Sequence, residues 1–231
     1  MKTKIIIVRH AEAEGNAQGR FHGWTDSSIT EKGHKQSKAL AERLKDEKID
    51  VIISSSLKRT LQTAEYISKA KGIPVVSSKN LKEINGGLWE NEKWDDLPNL
   101  WSVKFDTWEY SPHIHRMPEG ETMEEFYKRL VDEVGSIITE YKGKNICIVT
   151  HGTAIRALMT YLYGVGLEKM LEMMWHENAS ITIVEANNDE YKVVLEGDAS
   201  HIDKEIRTIK NQDWLNVDNK KIKIVKLNRR K

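Results

Sequence analysis

The chain has 231 residues, a length that fits one domain carrying an insertion. Lys and Arg number 36 against 35 for Asp and Glu, a formal net charge of +1, so no overall field draws the protein toward nucleic acid or a membrane surface. A single cysteine, Cys147, excludes an intrachain disulfide; its place in the run ICIV reads as a small core residue in a reducing compartment, and the cytoplasm is the expected location.

The start, MKTKIIIVRH, has too short an apolar stretch for a signal peptide, and no run approaches the ~18 apolar residues of a membrane span. Ile5 to Val8 reads as a strand buried on both faces, because it is apolar, β-favouring and without alternation. It ends on Arg9 and His10. Thr30 is placed to cap a helix from about Glu31 to Lys48, with Ser37, Leu40, Ala41 and Leu44 on one face. Val51 to Ile53 is a second buried strand, from which Ser54 to Arg59 leads into a helix with Leu57, Leu61, Ala64 and Ile67 at helical spacing. A strand at Val75 to Ser77 precedes NLKEINGGLWE, which holds Glu83. The stretch Leu88 to Pro112 carries Trp89, Trp94, Trp101 and Trp108 with little periodicity and reads as part of an inserted lid of about residues 84–120. Thr122 and Glu125 form a capping box before Phe126, Leu130, Val134, Ile137 and Tyr141, the clearest amphipathic helix in the chain.

Ile146 to Val149 is a third buried strand, ending on Thr150, His151 and Gly152, and Ile155, Leu158, Met159 and Leu162 continue as a helix. Strands are expected near Ser180 to Glu185 and Tyr191 to Leu195. A basic C-terminal extension of about 203–231 closes the chain, and the alternation of Ile222, Ile224 and Leu227 within it suggests a short edge strand with a solvated tail. Strands alternating with helices imply an α/β fold: a three-layer sandwich with a mostly parallel central sheet flanked by helices, the lid being an insertion. The whole chain, 1–231, reads as a single domain.

The three buried strands end on chemistry. In a parallel sheet their carboxyl ends lie on one side, where ligands bind, so Arg9, His10, Arg59 and His151 converge beside helix N-termini. At an effective dielectric of 20, a cation about 4 Å from a phosphoryl oxygen contributes about 4 kcal/mol before desolvation, and Arg adds bidentate geometry. A phosphoryl dianion is the natural guest. A neutral imidazole among cations is a nucleophile toward phosphorus, which a guanidinium is not, and Glu83 is the best candidate for the acid that the leaving alkoxide needs.

These segments resemble the histidine phosphatase superfamily, also called phosphoglycerate mutase-like, over roughly residues 4–202. The residues that carry the resemblance are RHAEAEGN, GRFHGWTDSSITEKG, SSLKRTLQTA, LKEINGGLWE, PEGET and VTHG, in that order. The resemblance implies His10 as a nucleophile forming a phosphohistidine, with Arg9, Arg59 and His151 clamping the phosphate. It implies Glu83 as acid and then base, and Asn16, His22, Gly23 and Gly152 as substrate contacts. No metal and no other cofactor is implied. The chain departs from the family pattern at Ala11, where Gly is usual, at Ala13, where a hydroxyl residue is usual, at His22, where Gln is common, and at Ser28, where Pro is common.

The reading is a phosphomonoesterase acting on a small phosphate ester, with neither nucleic acid nor membrane as partner. A cofactor-dependent phosphoglycerate mutase is the closest rival. It needs extra cations over the pocket, whereas Leu88 to Pro112 holds six acidic residues (Glu90, Glu92, Asp95, Asp96, Asp106, Glu109) against Lys93 and Lys104, a balance of −4. A non-catalytic phosphate sensor is a further alternative, disfavoured by the intact His10 and Glu83. His113 and His115 form an H-x-H with no accompanying carboxylate or cysteine cluster and read as loop residues; His176 and His201 receive no role.

Overall fold

A computed structural model describes residues 2–187 and 190–209. One six-stranded sheet organises the chain, in the order β3-β2-β4-β1-β5-β6. The strands are β1 (Thr3–Arg9), β2 (Val51–Ser55), β3 (Val75–Ser78), β4 (Asn145–Thr150), β5 (Ile181–Asn187) and β6 (Glu190–Asp198). The four strands β3, β2, β4 and β1 run parallel, β5 adds antiparallel to β1, and β6 adds antiparallel to β5. The fold is the expected α/β sandwich of helices on a mixed sheet.

Alternate residues of the unalternating apolar runs point to opposite faces, and both faces are covered. Ile5, Ile7, Ile53 and Ile148 join one core with helices α6 (Met123–Glu140) and α7 (Gly152–Leu162). Ile6, Val8, Ile52, Cys147 and Val149 join the other, with α2 (Glu31–Arg43) and α3 (Lys58–Lys71), which follow the short α1 (Glu14–Gln18). A strand in such a sheet has no wet face, so it has no polar alternation.

Local signals set several helix ends. Thr30 Oγ1 accepts from Gly33 N at 3.0 Å, opening α2, and α3 stops at Gly72 in the left-handed conformation, φ +68. At α6 both halves of the capping box form: Glu125 N donates to Thr122 Oγ1 at 3.1 Å, and Thr122 N donates to Glu125 Oε2 at 2.8 Å. α2 ends at Arg43, short of the expected Lys48. After Leu44 the next positions on its buried face are Glu47 and Lys48, so nothing apolar remains to hold a further turn.

The segment read as an irregular lid contains two helices, α4 (Leu97–Leu100) and α5 (Ser102–Tyr110). Periodicity conceals them because α5 leaves Val103 and Tyr110 exposed while burying Trp108. Its tryptophans are mainly core: Trp89 and Trp108 are buried against Phe21 and His115, with ring centroids 5.2 to 6.1 Å apart. Among the described residues, no helix is long and apolar enough to cross a membrane. The edge strand expected at Ile222 to Leu227 lies outside the described residues.

Candidate active site

Adjacent parallel strands bring the two histidines together. Arg9 pairs with Thr150 in the β1–β4 register, so the next residues, His10 and His151, leave the sheet side by side with ring centroids 5.2 Å apart. Arg59 arrives from the first turn of α3 after β2, and Glu83 from the loop after β3.

His10 is fixed from several sides. Its N–H donates to Thr150 O at 2.9 Å, its carbonyl accepts from Asn178 Nδ2 at 2.8 Å, and the next residue's N–H donates to Thr63 Oγ1 at 3.0 Å. The ring nitrogen Nδ1 lies 2.7 Å from Ala11 O. A carbonyl oxygen only accepts, so Nδ1 carries the proton and Nε2 holds the lone pair. Burial, and after it Arg59 and Arg9, holds the imidazole well below the usual value of 6.5.

The cations are buried and only partly bonded. Arg9 donates from Nη1 to His176 O at 2.6 Å, and Arg59 donates to Thr25 O, His22 O and Gly23 O at 2.9, 3.1 and 2.8 Å. The Nε of each is buried and has no partner among the described residues. Such donors suit an incoming anion, because a buried donor otherwise goes unsatisfied. Burial lowers Arg59 to about 10, which leaves it charged at neutral pH. His151 bonds Ser55 Oγ through Nε2 at 2.8 Å, and its buried Nδ1 has no partner among the described residues; burial, then Arg59, lowers its pKa well below 6.5.

Glu83 accepts from Ile84 N at 2.9 Å through one oxygen and from Thr153 N at 3.0 Å through the other. Burial raises its pKa above 4.5 despite those bonds and the nearby Arg59. A carboxyl whose proton is held more tightly than usual is suited to deliver it to a leaving group.

One pocket is walled by Arg9, His10, Arg59 and Glu83 together with Asn16, His22 and Gly152. His151 sits behind His10, fully buried, and is not part of the wall. Gly23, expected to touch substrate, is also away from the wall: its carbonyl holds Arg59, and a Cβ there would lie 2.1 Å from Ile84 O. At Gly152 a Cβ would lie 3.2 Å from Arg9 Nε, so a larger residue would press on that guanidinium by a few tenths of an ångström. Of the departures from the family pattern, Ala11 packs into the α2–α3 core, whereas Ala13 lines the pocket with a methyl. His22 bonds Ser27 Oγ at 2.9 Å through Nδ1.

The wall also includes Arg20, Trp94, Thr153 and Trp175, none of which the sequence marks as a site residue. Thr153 binds Glu83 through a backbone N–H, which no side-chain motif reveals. Trp175 comes from the irregular loop before β5, where no periodicity marks it. His176 sends its carbonyl to Arg9, a role equally silent in sequence. His115 of the H-x-H pair is buried against Trp89, and burial pushes its pKa down to about 4.

A family model of the histidine phosphatase superfamily (branch 1) matches residues 5–199. The chain belongs to the histidine phosphatase superfamily. Phosphoserine phosphatase 1 of Hydrogenobacter thermophilus is 34% identical over 181 residues, covering 78% of this chain and 85% of that protein. A protein of Erwinia tasmaniensis named "Probable phosphoglycerate mutase GpmB" is 31% identical over 211 residues, covering 87% of this chain and 95% of its own. Among solved structures, Bacillus stearothermophilus YhfR superposes with a TM-score of 0.83 at 31% identity, covering 87% of this chain and 100% of that one. Family membership and the phosphatase relatives support phosphatase activity.

The buried histidines make the fold acid-sensitive. Burial is the largest cause that lowers the pKa of His10, His151, His115 and His176, the last two to about 4. The unfolded chain therefore binds more protons below pH 6.5, and stability falls as pH drops through that value. Glu83 and Glu196 have the opposite sign, their raised pKa values favouring the fold at low pH and losing that contribution as pH rises through the raised values, but they are two groups against these four and the likewise lowered His22 and His201. Thermal denaturation between pH 7 and pH 5 is expected to show a falling midpoint; a flat or rising midpoint would contradict neutral burial of these rings.

Proposed function

We propose that the protein is a metal-independent phosphomonoesterase that works through a phosphohistidine on His10. The observation that carries this reading is the hydrogen bond from His10 Nδ1 to Ala11 O, which leaves the Nε2 lone pair in a pocket shared with two buried guanidiniums and a carboxyl. In the first half-reaction Arg9 and Arg59 hold the phosphoryl oxygens with His151 behind the nucleophile, Nε2 forms a bond to phosphorus, and the ester P–O bond breaks. Glu83 gives its proton to the departing alkoxide, a step worth about 10²- to 10⁴-fold in rate. In the second, the Glu83 carboxylate takes a proton from water as its oxygen attacks phosphorus, and the N–P bond breaks to release inorganic phosphate.

A hydrolase is favoured over a mutase by the neutral contribution of the lid. Its residue at the pocket wall is Trp94 rather than a cation, and Arg20, the further cation of the wall, donates to Asn91 O at 2.6 Å. The acidic tally of the lid carries less weight than the sequence suggests, because Glu90 turns inward to accept from Trp24 N at 2.6 Å, Thr25 N at 2.8 Å and Gly86 N at 2.9 Å. The substrate is read as a small phosphate monoester, the class to which phosphoserine, named for a relative, belongs.

Quenching the enzyme during turnover of a ³²P-labelled ester should trap label that is alkali-stable and acid-labile, with EDTA leaving turnover intact. With 2,3-bisphosphoglycerate and 3-phosphoglycerate, mutase turnover exceeding hydrolysis would reverse the order of the two readings. A protein that traps no label and hydrolyses no ester would be a phosphate sensor.

A further inference from the structure

We propose that Arg129, clamped by Glu121, is a positioning residue that aims Glu83, an inference that rests on the reading of Glu83 as the acid. Arg129 stands on α6, which is anchored in the core by the buried Phe126 and Leu130. A guanidinium has five N–H donors, and here five acceptors meet them. Nη1 donates to Asn80 O at 2.8 Å and Lys82 O at 2.9 Å. Nη2 donates to Glu83 O at 2.7 Å and Glu121 Oε2 at 2.8 Å, and Nε to Glu121 Oε1 at 2.6 Å. Three of these acceptors are backbone carbonyls of the loop that carries Glu83.

The same carboxylate continues the bracket. Glu121 Oε2 accepts from Asn85 N at 2.8 Å, and Glu121 N donates to Asn85 O at 3.1 Å. The loop from Asn80 to Asn85 is thus held on both sides of Glu83 by one fork-on-fork ion pair fastened to a rigid helix. The loop has no regular structure between Lys82 and Gly86, so it contributes no ladder of its own to fix where the carboxyl lies. Lysine could not replace this arginine, because a point ammonium lacks the planar fork. Arg129 does not itself line the pocket and reaches the wall through the backbone carbonyl of Glu83.

A displaced acid has a signature that a merely loosened fold lacks. Expelling p-nitrophenolate needs little protonation, whereas expelling an alkoxide needs a proton delivered in place. The ratio kcat/KM reports the steps up to leaving-group departure and is blind to later hydrolysis of the phosphoenzyme. We would measure it with p-nitrophenyl phosphate and with glycerol 1-phosphate for the wild type, Glu83→Gln, Arg129→Met, Arg129→Lys and Glu121→Gln.

Glu83→Gln should lose about 10²-fold or more on the alkyl ester and far less on the aryl ester. Arg129→Met and Arg129→Lys should lose about 10- to 100-fold on the alkyl ester while staying within about threefold on the aryl ester, as misplacement by about 1 Å implies. Glu121→Gln, which keeps the side-chain shape, should show the same split at about 3- to 10-fold and covers the case in which an Arg129 variant does not fold. Equal losses on both esters, or none on either, with Glu83→Gln still discriminating, would overturn the positioning role alone. A Glu83→Gln enzyme that treats both esters alike would overturn the acid role of Glu83 and the inference with it.

Discussion

His10→Ala is expected to abolish both phosphoenzyme formation and ester hydrolysis, with kcat falling by about 10⁴-fold or more, equivalent to about 5.5 kcal/mol of barrier. The size follows from what remains. Arg9, Arg59 and Glu83 stay in the pocket, but none has a lone pair that can bond phosphorus and later be released. Inorganic phosphate should still bind within about tenfold of wild type, since the guanidiniums that hold it are untouched by the substitution. Rapid-quench labelling and phosphate competition separate these two quantities. A variant that still traps label, or retains a tenth of the activity, would place the nucleophile elsewhere.

Arg59→Met is expected to cost about 10²- to 10³-fold in kcat/KM, the scale for losing one charged donor aimed at a reacting oxyanion. Two effects add. The phosphoryl group loses a buried cation, and the carbonyls of His22, Gly23 and Thr25 lose the donors that hold their loop. The substitution also carries a pH signature. Arg59 is the largest charge effect holding down the pKa of His10, so its removal lets that pKa rise toward 6.5. Because the nucleophile must be neutral, the acid limb of the kcat/KM profile should move to higher pH. Arg59→Lys, which keeps the charge but not the fork, should move the limb less and recover only part of the activity. An unmoved acid limb in Arg59→Met, with native circular dichroism, would argue that Arg59 serves the loop and not the chemistry.

Much of this site is legible in the order of residues alone. Three apolar runs of about four residues each signal buried parallel strands, and such strands deliver their last residues to a common edge; Arg9, His10 and His151 follow from that rule alone. The capping box at Thr122 is legible because its donors and acceptors lie three residues apart. The helix inside the lid is hidden because α5 has no apolar stripe. The end of α2 is equally hard to place, because charged residues at helical spacing look like more helix until the core runs out.

What the sequence determined by itself is the set of residues that gather at the candidate site, His10, Arg9, Arg59 and Glu83, together with the layered α/β order, because both depend on residue type and local spacing. What only the tertiary structure decided is the state and aim of those groups. The His10 tautomer is set by the carbonyl of Ala11, the hold on Glu83 by a backbone N–H from Thr153 and by Arg129 on a distant helix, and His151 stands behind His10 rather than at the wall. Backbone groups are the same at every residue, so a bond made through them leaves no trace in the order of side chains; only packing says which carbonyl meets which donor.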